Sequence, residues 1–256
     1  MSGKEHVVYL YDGSMQGLLC CVFTAVAEKE MPVDIWVEHT ASPVLFDTKA
    51  IHTDENKAKR VEVSIPKKMS PRAKELVRNV FFSNAEQKEL KILRFLLLGY
   101  QVGPQLCKML AHPDVAPMLE AEKSLLNEVH LLKGFLRFSD YDGVLGAVIG
   151  PKHYVLLLLA PHFCGRFGNE NFMIWDKTHK AVLYWANKKA EIFDMEEFSP
   201  PQPSASEQQY QQLWKEFYAT ISIAERENLP CRQNHCPKRY WQYMTEMQQE
   251  ISKGHL

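Results

Sequence analysis

GFLRFSDYDGVLGAVIG, residues 134–150, decides the fold. Two β-prone runs flank Asp142-Gly143, and an Asp-Gly pair between such runs is a strong short-range hairpin signal. Residues 153–167, HYVLLLLAPHFCGRF, follow with helical spacing. NFMIWD (171–176) and KAVLYW (180–185) then read as a second hairpin, with AEIF (190–193) as a further strand. The order ββ–α–ββ(β) predicts an α+β fold, an antiparallel sheet built from hairpins with a helix across one face.

Working outward, the N-terminal half reads as mainly helical. It opens strand–turn–helix: HVVYLY is β-branched and aromatic, Asp12 or Ser14 is the N-cap, and MQGLLCCVFTAVAEKE repeats apolar residues at helical spacing. VDIWV is a short strand. Residues 38–69 suit helix or strand equally and accumulate Lys57, Lys59, Arg60, Lys67 and Lys68. Ser70-Pro71 marks a helix start, with a helix to about 82. Others are expected over 85–100 and 114–134, the last closed by Gly134. The Pro, Ser and Gln bias after 198 reads as a linker. The expected organisation is an α+β core over 1–198, a linker over 199–206 and a C-terminal helical extension over 207–256 packed on the core.

Thirty basic residues face thirty-one acidic ones, for a net charge of −1, so any polyanion site must be a local patch. Hydrophobic residues make up 46%, enough for a substantial core. The first residues lack the apolar run of a secretory signal, and Val155–Ala160 is far too short to span a bilayer. The six cysteines follow no disulfide-framework spacing. Together these features predict a cytoplasmic protein with reduced thiols and no membrane contact.

Four motifs in order, YLYDGSMQGLL (9–19), HLLKGFLRF (130–138), VLLLLAPHFCGRF (155–167) and ERENLPCRQNHCPKRYW (225–241), resemble the bacterial "probable DNA metabolism protein" family, built on a domain of unknown function. The resemblance implies a role in DNA metabolism. Members of that family are typically encoded beside a putative DNA modification or repair radical-SAM protein, and some are fused to a uracil-DNA-glycosylase-like domain. The present chain has no CxxxCxxC cluster for an iron–sulfur centre. The family supplies no catalytic residues to carry over, so the candidate residues come from the motifs themselves.

His162 and Arg166 are four apart and share a helix face. Pro161 beside them breaks the backbone ladder and exposes polar groups. Imidazole and guanidinium together suit a phosphate or carboxylate; equally, Arg166 could pair with a sheet carboxylate such as Asp176. Arg137 sits mid-strand, where it faces a pocket or a specific partner, and convergence with Arg166 would call for an anion between them. Lys238, Arg239, Tyr240 and Trp241 combine cations with rings, which suits single-stranded nucleic acid or the start of a docked helix. Arg226 and Arg232 would extend that strip. Asp12-Gly13-Ser14 carries no glycine-rich phosphate fingerprint and is explained by capping. Cys231, His235 and Cys236 do not have zinc-ligand spacing, and no metal or cofactor is expected. The lysines of 57–74 form a solvated face or a phosphate track.

The expected function is that of an accessory protein of DNA repair or modification. It would bind nucleic-acid or nucleotide phosphate through Arg137, His162 and Arg166 and work with a radical-SAM partner. One alternative is an enzyme acting on a nucleotide or damaged base, with His162 or His130 as general acid/base and Asp176 orienting it. Another is a protein-binding scaffold presenting Trp175 or Trp185.

Overall fold

A computed structural model describes residues 7–38, 46–221 and 229–248. The chain falls into two compact units, Met1–Leu125 and Leu126–Leu256. The division lies inside a helix, and the expected linker and extension both belong to the second unit.

In the first unit, β1 (Val7–Tyr11) lies between β2 (Asp34–Val37) and β3 (Asp47–Ala50), and both pairings are parallel. Val7, Val8, Tyr9 and Tyr11 of β1 are buried, as a central strand covered on both faces requires. α1 (Met15–Glu28) starts at Ser14, whose side chain accepts from the Gly17 N–H. Asp12 accepts from Ser14 and from the Thr53 hydroxyl. The region that suited either structure contains both: β3, then α2 (Glu55–Lys68), capped by Asp54. α3 (Pro71–Phe81) begins as read, with Ser70 accepting from the Ala73 N–H. α4 (Lys88–Val102) completes the layer. Leu18, Val22, Ile65, Leu76, Leu93 and Leu96 bury their apolar faces in one core. The two strands read in the N-terminal half, HVVYLY and VDIWV, are thus β1 and β2 of a small parallel sheet that β3 completes.

α5 (Ala116–Phe135) runs across the division, and Gly134 lies within its last turn, not beyond it. The second unit carries five strands in sequential order: β4 (Ser139–Tyr141), β5 (Val144–Ile149), β6 (Asn171–Asp176), β7 (Ala181–Ala186) and β8 (Lys189–Asp194). The decisive stretch forms the expected hairpin: Tyr141 pairs with Val144, and Asp142 and Gly143 both have positive φ, the signature of a type I′ turn. β6–β7 and β7–β8 are also antiparallel.

β5–β6 is parallel, so the sheet is mixed and not purely antiparallel. The physical reason is α6 (Leu156–Arg166), which lies between the two strands and returns the chain to the same end of the sheet. A connection holding a whole helix makes a βαβ crossover, which a hairpin cannot. On one sheet face, Phe172 meets Phe138 at 5.7 Å, and Phe138 meets Phe163 and Phe167 of the α6 segment at 5.6 and 5.1 Å. α7 (Ala205–Ile221) and α8 (Leu229–His235) follow, and a 3₁₀ segment covers Lys238–Tyr243. Among the described residues no helix is long and apolar enough to cross a membrane.

Candidate functional site

Strands β5 and β6 end at the same edge, where Ile149 pairs with Asp176. In open sheets with parallel strands, ligands bind outside the carboxyl ends. At this edge the chain leaves β5 through Gly150–Val155 and leaves β6 through the turn 177–180. The polar side chains of both segments converge there.

Asp176 is fully buried. One of its oxygens accepts from the backbone N–H groups of Thr178 and His179, at 3.0 and 3.1 Å, and the other meets His179 Nδ1 at 2.7 Å. A carboxylate only accepts, so His179 Nδ1 carries a proton, and the lone pair of the neutral ring is on Nε2. The ring is about a quarter exposed, and Tyr154 packs edge-on against it at 5.5 Å.

Glu128, on α5, is buried beside this pair and accepts four hydrogen bonds. The backbone N–H groups of Lys152 and His153 reach Oε2 at 2.9 and 2.8 Å; Arg239 Nη2 and the Tyr240 hydroxyl reach Oε1 at 2.7 and 2.8 Å. Arg239 also contacts the Tyr240 hydroxyl, while its buried Nε has no partner. Burial holds His153 below the usual imidazole range, and Arg239, Lys152 and His179 push the same way against Glu128. The Tyr243 hydroxyl presses on Gly150 so closely that a β-carbon there would strike it. Burial and the Asp176 charge raise the Tyr243 phenol. One edge thus gathers two buried carboxylates, two histidines, an arginine and three tyrosines. The chemistry available to it is proton transfer through a carboxylate-oriented imidazole.

The opposite sheet face holds a cleft of about 340 Å³, bounded by Tyr141, Trp175, Gln211 and Gln242, with Tyr243 among its lining residues. Arg137 also borders this cleft. Its guanidinium grips the buried Glu246 at 2.6 and 3.3 Å, donates to the Gly134 carbonyl at 2.7 Å and lies over the Trp214 ring. Trp214 Nε1 donates to the same carboxylate at 3.0 Å. Burial alone would raise the Glu246 carboxyl, but the bonds from Arg137, its own backbone and Trp214 outweigh burial and hold it below 4.5. A carboxylate lowered on folding contributes stability above its unfolded value and loses it as pH falls through the folded one. Thermal melting should therefore show an acid limb beginning near pH 4.5 that Glu246→Gln flattens; an unchanged limb would assign acid sensitivity to other groups.

A third cluster lies on α5 and α6. His162 Nε2 is buried without a hydrogen-bond partner. Burial, then the charges of Lys133 and Arg166, hold the ring below 6.5. Lys133 and Arg166 are exposed, and Arg166 lies over the Phe167 ring. Among the described residues, none of these three has a carboxylate partner.

A family model described as a domain of unknown function, DUF4130, matches residues 86–246. The chain belongs to the DUF4130 family. No curated protein and no solved structure matches it. The DUF4130 span contains every residue of the carboxyl edge and of the α5–α6 cluster, whereas α1 and α2 precede it.

Within this span the residues singled out from the sequence separate into three places. Asp176, Arg239 and Tyr240 meet at the carboxyl edge. His162 and Arg166 share the face of α6 as read, joined by Lys133. Arg137 is neither mid-strand nor between them: it lies in the link between α5 and β4, and Glu246 neutralises it on the cleft side. Asp176 orients neither His162 nor His130, because its free oxygen is taken by His179. His130 is exposed on α5. Tyr240 and Trp241 are buried, and Trp241 Nε1 donates to the Cys236 carbonyl at 2.9 Å, so their rings are packing surfaces and not open platforms. Lys238 is half-buried on the 3₁₀ segment. Trp175 is buried, its Nε1 donating to the Met195 carbonyl, and Trp185 stacks on Phe172; neither is an exposed docking face. The exposed apolar row lies instead on α7, at Tyr210, Leu213, Phe217 and Ile221. Cys231 Sγ stands 3.7 Å from His235 Nδ1, while Cys236 turns inward to Met244, and no metal-ligating group of three is found among the described residues. Arg226 lies outside the described residues. His179, His153, Glu128 and Glu246 were missed. The only one with a local signal is His179: Asp-x-x-His in a four-residue hairpin loop brings the ring back onto the carboxylate.

Proposed function

We propose that the protein is an accessory factor of DNA repair or modification that holds a nucleic-acid or nucleotide phosphate, working beside the radical-SAM partner that the sequence resemblance implies. The observation supporting this is the α5–α6 cluster. Lys133 and Arg166 raise the local positive potential around His162, and among the described residues neither has a carboxylate partner, in a chain whose net charge is −1. Such a group of cations is relieved by an anion, and arginine with lysine suits phosphate. His162 adds a pH dependence. Its neutral form dominates near neutrality, and protonation below 6.5 supplies a third cation. Phosphate binding should tighten as pH falls through that range.

The test is fluorescence anisotropy with labelled single-stranded DNA. Replacing Lys133 and Arg166 together by Ala should weaken binding about tenfold or more and make its salt dependence shallower by about 1.4 in the log–log slope. His162→Gln should abolish the tightening at lower pH. Unchanged affinity, slope and pH profile would remove this cluster as the contact.

A second reading, an enzyme acting on a nucleotide or damaged base, is favoured by the Asp176–His179 pair. Its imidazole is oriented through Nδ1 by a buried carboxylate and is about a quarter exposed, which is the arrangement of a general base. Tyr154 at its edge would orient the substrate.

A further inference from the structure

The first unit carries a second surface with no place in that reading. α2 holds five basic residues, Lys57, Lys59, Arg60, Lys67 and Lys68, against Glu55 and Glu62. Glu62 is already paired with Lys74 at 2.9 Å. Among the described residues, none of the five cations has a carboxylate partner, and all five are exposed. Two adjoining grooves, of about 550 and 400 Å³, run along the helix and share Arg60, Ser64 and Lys68. Aromatic rings line this path. Lys57 and Arg60 lie over Phe23 of α1 at 5.8 and 5.2 Å. Lys68 lies over Tyr100 of α4 at 5.4 Å, and the Tyr100 hydroxyl is fixed to Ser64 at 2.7 Å.

We infer that this groove binds single-stranded nucleic acid, with the α2 cations on the phosphates and the Phe23 and Tyr100 ends as stacking stations. Lys57, Arg60, Ser64 and Lys68 fall on one helix face by their spacing. From Arg60 to Lys68 the helix rises about 12 Å. Stacked nucleotides advance about 3.4 Å each, so three or four match that rise. A guanidinium lying on a ring offers its outer face to a base, and lysines with aromatic neighbours bind strands with little sequence preference. A bulk-charge explanation fails because the chain as a whole is slightly acidic. A membrane surface or an acidic peptide would use the cations without the rings, and the rings favour bases.

The experiment uses the full chain with labelled oligothymidylate, heparin, and vesicles containing phosphatidylserine. Replacing Lys57, Arg60 and Lys68 together by Gln should weaken oligothymidylate binding about tenfold or more and lower the salt slope by about 2. These side chains are exposed, and an unchanged circular-dichroism melt establishes that the variant is folded. Phe23→Leu should weaken oligothymidylate several-fold while leaving heparin binding as it was. The inference is overturned if the triple variant binds oligothymidylate like the original chain, or if heparin or the vesicles compete as well as oligothymidylate. The α5–α6 variants are separate substitutions in the other unit, so loss at one surface with retention at the other identifies which reading fails.

Discussion

Glu128→Ala should destabilise the second unit by about 3–5 kcal/mol, the cost of removing one partner from a buried ion pair. The loss is large because three segments depend on this one carboxylate. Oε2 holds the Lys152 and His153 N–H groups, and Oε1 holds Arg239 and the Tyr240 hydroxyl. Alanine leaves a partly buried guanidinium without its counter-charge and two backbone donors without an acceptor. Buried groups of this kind cost about 1–3 kcal/mol each when unsatisfied. Glu128→Gln keeps an oxygen for the loop N–H groups but loses the charge and turns an N–H₂ donor toward the Arg239 guanidinium, so its penalty should be smaller than that of alanine and still measurable. Chemical denaturation followed by tryptophan fluorescence measures both. Equal stability of the Ala variant and the original chain would show that these bonds are not maintained in solution.

At Asp176 the informative comparison is between two replacements. Asp176→Ala removes the acceptor for the Thr178 and His179 N–H groups in a fully buried position, and should cost about 3–5 kcal/mol by the same reasoning. Asp176→Asn keeps the amide oxygen for the turn but offers N–H₂ to His179. The ring must then accept at Nδ1 and carry its proton on Nε2. Stability should fall by only about 1 kcal/mol, while the lone pair at Nε2 disappears. Nitrogen NMR of His179 reads this tautomer directly. In catalytic triads the corresponding change lowers turnover by about 10⁴-fold, so a comparable loss of any base-processing activity in a folded Asn variant would identify His179 as its general base. An unaltered tautomer would show that the carboxylate does not control the ring.

Local chemistry in the sequence was sufficient for most of the elements and for one of the site's three parts. Asp142-Gly143 and Ser70-Pro71 act within a few residues, and both the hairpin and the helix start are where those residues put them. The direction of β6 relative to β5 was legible in principle, since a helix between strands allows a crossover; the hairpins on either side of it pointed instead to an antiparallel sheet. β3, DTKA, has no alternation to announce it and is a strand because β1 lies alongside. Arg137 marked a real polar site, but its partner Glu246 is 109 residues away and no local pattern connects them. Tyr240 and Arg239 looked like a nucleic-acid platform because cation-plus-ring composition is the same whether the ring is open to a base or folded onto a distant carboxylate. Composition reports which groups are present, and burial determines which of them remain available.

The bond from Arg239 to Glu128 joins residues 111 positions apart, and the order of synthesis gives that span a meaning in time. Contacts between remote parts of a chain form late, since the entropy of closing the intervening loop must be lost before they return anything. On the ribosome, α5, the sheet and α6 emerge before Arg239 does, and Glu128 waits with its charge hydrated until that later segment follows. The carboxyl edge is therefore completed only after its strands, and a nascent protein interrupted before residue 239 would have its strands but no completed centre.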